Sequence, residues 1–546
     1  MAQTATDSLS ILTQPLAWPL LHRRKTWLAV VLAIVAMYVL GISPHWWIGK
    51  DAGLYLNLAR NLAEGRGYTL AGVPNVNVPP GFPFLLAGMM RIGAGSFLAI
   101  NIVIALTGLA TVLASYLLLR ELVHPDWAML MAIVVALSNE ILPRSGEVLS
   151  DMPFALLLMA GFWLYYRGLR RGAPDRRFWE IGSLLLVASC WFRVAGFPIA
   201  AGGAVGLVIA GWRSGPKRAL LNLGLMIIGL GLTFGFFLHA FKAGATATSA
   251  SYASMLEAHA GEPFFQRWIL GTMERFGDAS EKLSRLYVAQ RLPMVLALLL
   301  TVAPVAAAMV RRLLRRDASG PLAVTIFVGG LCLISGLQTR YLMPLAPLLV
   351  LYLVEGYEMI LVRLAPLLRA AGGTLAPEKR AKAIQSVSLA LMGTLLAFNL
   401  PLVGRNIYEK HRPDYAVNQQ RGHWKDEYLA AQYLKGHPSR DGCILAEQPV
   451  GYLAGLQCPI LSHPIMESTP SEAQVEALLK ELGVRYVAFE LKDEVNDNAG
   501  KTKVKPFVKA MMNYLAQSGP PVFTSGNLRV YGVPQAGTSA TRPAGS

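Results

Sequence analysis

"RRKTWLAVVLAIVAMYVLGISPHWWIGKDAGLYLNLAR", residues 23–60, decides what kind of chain this is. Three cations lead an apolar run from Trp27 to Ile42, and an acid, Asp51, stands a few residues past its far end. Taken alone, the run has the look of a secretion signal. No small-residue cleavage site follows it, however, and many further apolar runs do, so it reads as a retained first membrane span. The composition agrees. Of 546 residues, 54% are hydrophobic and only 15% charged, and the apolar ones gather in long runs rather than in the alternation of a soluble protein. The chain is a polytopic α-helical membrane protein.

The candidate spans are 27–43, 97–119, 127–142, 152–166, 180–195, 197–211, 220–239, 291–310, 322–337, 341–361 and 384–400, which gives about eleven within a range of roughly nine to thirteen. The stretch 180–211 is the weakest, because Arg193, Gly196 and Pro198 interrupt it. The formal charge of +17 does not point to nucleic acid. Most of it lies on alternate connections: Arg23, Arg24 and Lys25; Arg120; Arg167, Arg170, Arg171, Arg176 and Arg177; Arg213, Lys217 and Arg218; Arg311, Arg312, Arg315 and Arg316; Arg363, Arg369, Lys379, Arg380 and Lys382. By the positive-inside rule these connections and the N-terminus are cytoplasmic. The apolar stretch Phe82–Met90 is short and opens with Pro79, Pro80, Gly81 and Pro83, so it fits an interfacial or re-entrant helix better than a span.

This topology puts four segments outside: 44–96, the turn 143–151, the loop 240–290, and everything from about Leu402 onward. The first opens at Asp51, after which Leu54, Leu58 and Leu62 recur every four residues beside Tyr55, Ala59 and Ala63. That pattern predicts an amphipathic helix lying on or in the membrane interface, with Asp51 as its cap. In "LPRSGEVLSDMPFALLL", residues 142–158, the spacing of Arg144, Glu147 and Asp151 would put all three on one side of a continuous helix. A salt bridge within one turn explains them as well as a substrate site does. Arg193 and Arg340 fall outside the inside-positive pattern, and a guanidinium near bilayer depth needs water, a carboxylate or a phosphate. A pair of outward arginines suits a lipid phosphate, although snorkelling to the interface would account for them too. There is no His/Cys metal spacing, P-loop, GxGxxG after a strand or serine elbow.

Past Leu402 the composition turns polar. "EYLAAQYL" reads as a helix, "CILAEQPV" as a strand, "SEAQVEALLKEL" as a helix led by a Ser471–Gln474 capping box, and "VRYVAFEL" as a strand. Together they predict a compact α/β domain over 405–535, following a membrane domain over 1–404, with a flexible tail at 536–546. Of the four cysteines, Cys190 and Cys332 lie in apolar runs, whereas Cys443 and Cys458 share the polar region and can pair if it faces an oxidising compartment. The 240–290 loop, with Tyr252, His259, Glu262, Arg267 and Trp268, has the length of a substrate lid, or of a plain connector.

Four stretches, taken in order, resemble the GT-C superfamily of integral-membrane glycosyltransferases. They are closest to the family named for dolichyl-phosphate-mannose protein mannosyltransferases, which includes the bacterial lipid A aminoarabinose transferase. The stretches are "KDAGLYLNLARNLAEGRGY", "NVPPGFPFLLAG", "RSGEVLSDMPFALL" and "RYLMPLAPLL". The resemblance covers about 400 residues of membrane region and rests on the order and sidedness of the motifs rather than on any one of them. It implies a GT-C-like fold and inverting transfer of a sugar from a polyprenyl-phosphate donor to a lipid, glycan or protein acceptor of the cell envelope. It also implies a bacterial inner-membrane setting with a periplasmic C-terminal domain. Under it, Asp51 is the catalytic base, Arg340 and Arg193 bind the donor phosphate, and Glu147 or Asp151 binds sugar hydroxyls or orients the base. Tyr55, Lys50, Arg144 and Tyr341 are further candidate substrate contacts. Many relatives carry an acidic pair where Asp51 is followed by alanine, which leaves a divalent metal open. A lipid-linked polysaccharide polymerase is the nearest enzymatic alternative. A transporter or flippase is the alternative from another class, but it calls for ionisable groups along a through-path and often an internal repeat, and neither is evident.

Overall fold

In lipid, every backbone N–H and C=O has to be satisfied within its own segment, so apolar runs of this kind fold as helices. The computed structural model describes residues 11–17, 24–46, 50–70, 73–74, 78–169, 177–212, 215–243, 280–285, 293–334, 339–370, 377–412, 423–436, 443–446, 448–454, 470–490 and 506–534. Helix α1 (Arg24–Leu40) leads to α2 (Lys50–Ala63), a small hairpin of β1 (Thr69–Leu70) and β2 (Val73–Pro74), and α3 (Gly81–Arg91). Then come α4 (Phe97–Leu122), α5 (Pro125–Ala136), the single turn α6 (Ile141–Arg144), α7 (Asp151–Leu169), α8 (Arg177–Ser189), α9 (Gly196–Gly211) and α10 (Pro216–Ala243). Helices α11 (Met294–Leu314), α12 (Ser319–Ile334), α13 (Ala346–Ala370) and α14 (Pro377–Lys410) complete the apolar series.

Among the described residues, helices overlap the expected span positions. Five of them, at Phe97–Leu122, Pro216–Phe236, Met294–Leu314, Arg340–Leu364 and Ala381–Lys410, have both the length and the hydropathy to cross a bilayer unaided. The other six run from 12 residues in α5 to 19 in α7, mostly short of the ~20 that a 30 Å core asks of an untilted helix. The weak stretch 180–211 resolves into α8 and α9, separated by a turn at Cys190–Ala195 that carries Arg193. Helix α3 has only 11 residues, in keeping with its reading as something other than a span.

The chain divides into two compact units. One comprises residues 1–44, 101–236 and 255–411. In it a 3₁₀ turn at Ile11–Thr13 is buried in the helices, with Ile11 N donating to Glu358 Oε1 at 2.6 Å and Trp127 Nε1 donating to Ile11 O at 3.1 Å. Arg312, counted above among the inside-positive residues, is buried: its Nε lies 2.6 Å from Glu355 Oε2, and it also pairs with Asp317.

The other unit comprises residues 45–100, 237–254 and 412–546, so the segment after the first span belongs with the C-terminal region. Helices α15 (His423–Gly436), α16 (Gln448–Ala454), α17 (Glu472–Glu481) and α18 (Pro506–Ser518) flank a four-stranded sheet of β3 (Cys443–Leu445), β4 (Val484–Glu490), β5 (Phe523–Ser525) and β6 (Leu528–Gly532). The strand order is β3-β4-β6-β5, with β3 parallel to β4 and the other pairs antiparallel. Alternation along β4 builds a core on each face. Val487 and Phe489 pack with Leu478, Leu479 and Leu515 of α17 and α18, while Ala488 packs with Ala430, Leu434 and Val450 of α15 and α16.

The Ser471–Gln474 capping box is present, with both of its hydrogen bonds. The expected strand "CILAEQPV" stops at Leu445, and from Gln448 the same stretch is helix α16. Proline is well tolerated at the start of a helix, so Pro449 fits its first turn. Cys443 is disulfide-bonded. Its expected partner Cys458 lies outside the described residues, as do residues 536–546 and all of the 240–290 loop residues singled out above.

Candidate active site

In the unit that contains α2, the helix begins at Lys50, so Asp51 sits in its first turn rather than capping it. The amphipathic helix expected after the first span is present as α2. Ala52 is buried and so are the consecutive residues Tyr55 to Ala59, so protein covers much of its circumference. Helix α3 covers one side. The Tyr55 ring meets Phe82 edge-on at 5.1 Å, and Arg91 Nη2 donates at 2.8 Å to Leu62 O, a carbonyl of the last turn that also accepts from Gly65 N at 3.2 Å. Tyr55, expected as a substrate contact, is thus 8% exposed and packed. Asp51 stays half-buried.

In the other unit, the polar residues after α5 do not form one continuous helix. The chain turns between α6 and α7, which splits the expected Arg144/Glu147/Asp151 face in two. Arg144 Nη1 binds Glu147 Oε2 at 2.5 Å within the turn, and Arg144 also faces Glu140 at 3.9 Å. The negative charge of Glu147 raises the Arg144 pKa, while burial pushes the Glu140 carboxyl above its usual value against the opposing pull of Arg144. Asp151 instead opens α7, is 1% exposed, and pairs with Arg193 at 2.6 Å. The Arg193 guanidinium lies 5.5 Å from the Tyr341 ring centroid and that of Arg340 lies 5.3 Å from it. Of the predicted site residues, Arg193 and Arg340 therefore converge on the ring of a third, Tyr341, and Asp151 joins them through its pair with Arg193.

Sequence reasoning missed Lys410. It ends α14, is 1% exposed, and its Nζ donates to Pro143 O at 3.4 Å, at the foot of the turn that carries Glu147. Gly146 has no side chain there because a Cβ would run into Lys410 Nζ and lie 3.2 Å from Gly41 O. The only sequence signal was a lysine closing an apolar helix. Among the described residues, no group of three or more His, Cys, Asp or Glu side chains is arranged to hold a metal ion.

The family model for dolichyl-phosphate-mannose-protein mannosyltransferase matches residues 77–234. ArnT from Cupriavidus metallidurans, solved with undecaprenyl phosphate, superposes with a TM-score of 0.53 at 13% identity, over 94% of this chain and 99% of that one. The Archaeoglobus fulgidus oligosaccharyltransferase AglB, solved with an inhibitory peptide and a dolichol-phosphate, gives 0.53 at 13% identity over 86% of this chain and 70% of that one. The chain has the GT-C fold. The resemblance read from the ordered motifs holds at that level. No curated sequence matches the chain. At such identities a GT-C likeness speaks for architecture, and the chemistry has to be argued from the side chains.

Proposed function

We propose that this protein transfers a sugar from a polyprenyl-phosphate carrier to a cell-envelope acceptor, with inversion at the anomeric carbon, at the periplasmic face of a bacterial inner membrane. The observation that carries the reading is the gathering of Arg193 and Arg340 around Tyr341, with Asp151 fixing Arg193. Planar guanidiniums held in place by a ring and a carboxylate are pre-organised donors for a phosphate, and they act most strongly where water is scarce. The GT-C fold supports the choice of a lipid-linked donor. Alternation of basic and non-basic connections along the sequence supports a cytoplasmic N-terminus and a periplasmic C-terminal domain.

In this reading the acceptor hydroxyl oxygen attacks the anomeric carbon as the bond from that carbon to the phosphate oxygen breaks. The hydroxyl proton passes to the Asp51 carboxylate, and the electron pair of the broken bond leaves on the polyprenyl phosphate. A free carboxylate is a weak base, so Asp51 contributes as the hydroxyl becomes acidic in the transition state. The phosphate departs as a stable anion and needs no protonating acid, unlike the leaving group in glycoside hydrolysis. Arg193 and Arg340 offset the charge that develops on it, and Glu147 or Asp151 binds sugar hydroxyls or orients the base. The test is purified protein in lipid nanodiscs, given radiolabelled undecaprenyl-phosphate sugars and envelope acceptors. Transfer by the wild type and its loss in Asp51→Asn, with donor still bound, is the expected outcome. Undiminished turnover by Asp51→Asn would remove Asp51 from the mechanism.

A further inference from the structure

Tyr452, on α16 of the C-terminal region, grips α2 through Arg60. The Arg60 guanidinium lies 4.0 Å from the centroid of the Tyr452 ring, and its Nη2 donates to Tyr452 O at 2.9 Å. One residue thus holds the cation by both ring and carbonyl, which restrains the guanidinium in distance and in tilt. The ring itself is fixed. Trp46 meets it edge-on at 5.5 Å, and Phe97 stacks on Trp46 at 5.5 Å and approaches Tyr452 at 6.4 Å. Helix α16 is anchored in turn, because Val450, 1% exposed, sits in the sheet core with Ala430, Leu434 and Ile444. A continuous packed path therefore runs from the β-sheet through Val450 and Tyr452 to Arg60.

Arg60 and Asp51 are nine residues apart on one helix. At about 100° per residue that separation places them on opposite sides of α2, roughly 13 Å apart along its axis. The clamp thus acts on the side of α2 away from Asp51, while α3 holds the helix through Phe82 and Arg91. With Tyr55 to Ala59 already buried, α2 has ample apolar contact to fold, and the added grip at Arg60 fixes its rotation and its position along the axis.

We propose that Arg60 and Tyr452 are positioning residues through which the C-terminal domain sets the orientation of Asp51 for proton abstraction. The proposal rests on the reading of Asp51 as the base. A displacement of about 1 Å at a reacting group is enough to cost on the order of a hundredfold in rate. Removing the clamp should therefore lower kcat with little change in donor KM.

The experiment compares Arg60→Ala, Tyr452→Ala, the double variant, Tyr452→Phe and Asp51→Asn, in nanodiscs with labelled undecaprenyl-phosphate sugar. Melting temperatures and hydrogen exchange of the 50–63 peptide are followed alongside. Each alanine variant is expected to lose about tenfold to a hundredfold in kcat, keep KM within about twofold, melt near wild type, and exchange faster in the 50–63 peptide. The double variant should be no worse than the poorer single one, and Tyr452→Phe, which keeps ring and carbonyl, should behave as wild type. Wild-type kcat in both alanine variants while Asp51→Asn is inactive would overturn the clamp and leave the base assignment standing. Turnover by Asp51→Asn would overturn both. A loss that appears in KM, or only together with a lowered melting temperature, would also overturn it.

Discussion

Arg193, in the turn between α8 and α9, is held by Asp151 at the start of α7, with Nη1 2.6 Å from Oδ1 and Asp151 only 1% exposed. Charges taken out of water cost several kcal/mol each, and a pair of this kind is stable chiefly because each partner answers the other. Arg193→Ala should leave the carboxylate stranded and destabilise the protein by about 3–5 kcal/mol. The donor KM should rise as well, since the guanidinium proposed to meet the phosphate is gone. Asp151→Asn combined with Arg193→Gln should cost clearly less than the sum of the two single changes, by thermal unfolding in detergent. Additive losses would show that the pair is not coupled.

Glu140 lies in the connection after α5, outside the helices that bracket it, and burial raises its pKa above the usual carboxylate value. In the folded protein the carboxyl holds its proton more readily than in the unfolded chain. Its contribution to stability is therefore fully present below the ordinary Glu pKa of about 4.3 and is lost as pH rises through the raised folded value. Glu140→Gln should raise the melting temperature at pH 7 and make no difference near pH 4. Melting curves across that range check the sign, and a variant less stable than wild type at pH 7 would show that the contact with Arg144, 3.9 Å away, outweighs the burial cost.

The helices were legible because hydropathy is a local property, and each apolar run carries its own signal. So was the Ser471–Gln474 capping box, in which both partners lie within one turn. The partners of Arg193 and Arg60 were not. Asp151 reaches Arg193 only because the chain turns between α6 and α7, and no spacing rule predicts that break from Arg144, Ser145 and Gly146. Tyr452 and Arg60 are 392 residues apart, so their contact depends on how the sheet domain packs against α2. The sequence could propose which polar residues matter, but their pairing had to wait for the tertiary structure. The stretch after β3 failed for a different reason: a short apolar run after an acid reads equally well as strand or helix.

Helices α9 and α12 approach closely at Gly202. A Cβ there would lie 2.7 Å from Ala323 Cα and 2.8 Å from Leu322 O, both backbone atoms that cannot swing aside. Small residues at such crossings let helix backbones meet where no hydrophobic force drives association. Gly202→Ala should push the helices apart and cost about 1–3 kcal/mol, the usual penalty of overpacking. Gly224→Ala, on α10 with nothing within 4 Å of the added carbon, is the matched control and should melt as wild type or slightly higher. Equal melting temperatures for the two variants would show that the α9–α12 contact is looser than it stands here.

The turn at Ile11–Thr13 is short, yet it is tied down as firmly as a core element. Ile11, Leu12 and Leu16 are 1%, 2% and 1% exposed. Its backbone and that of the residues just after it are also answered by side chains far along the chain. Ile11 N donates to Glu358, Trp127 donates to Ile11 O, Ala17 N donates to Gln385 Oε1 at 3.0 Å, and Gln385 Nε2 donates to Pro15 O at 3.1 Å. Truncating Ile11 and Leu12 together to alanine should cost about 4 kcal/mol or more, since each buried aliphatic lost is worth about 2–5. Glu358→Ala removes the acceptor for Ile11 N–H as well and should lower the melting temperature further in that background only slightly, because the turn would already be loosened. Deleting residues 1–17 should reproduce the double-alanine loss. A deletion variant that melts as wild type would show that these contacts add nothing to the stability of the helix bundle.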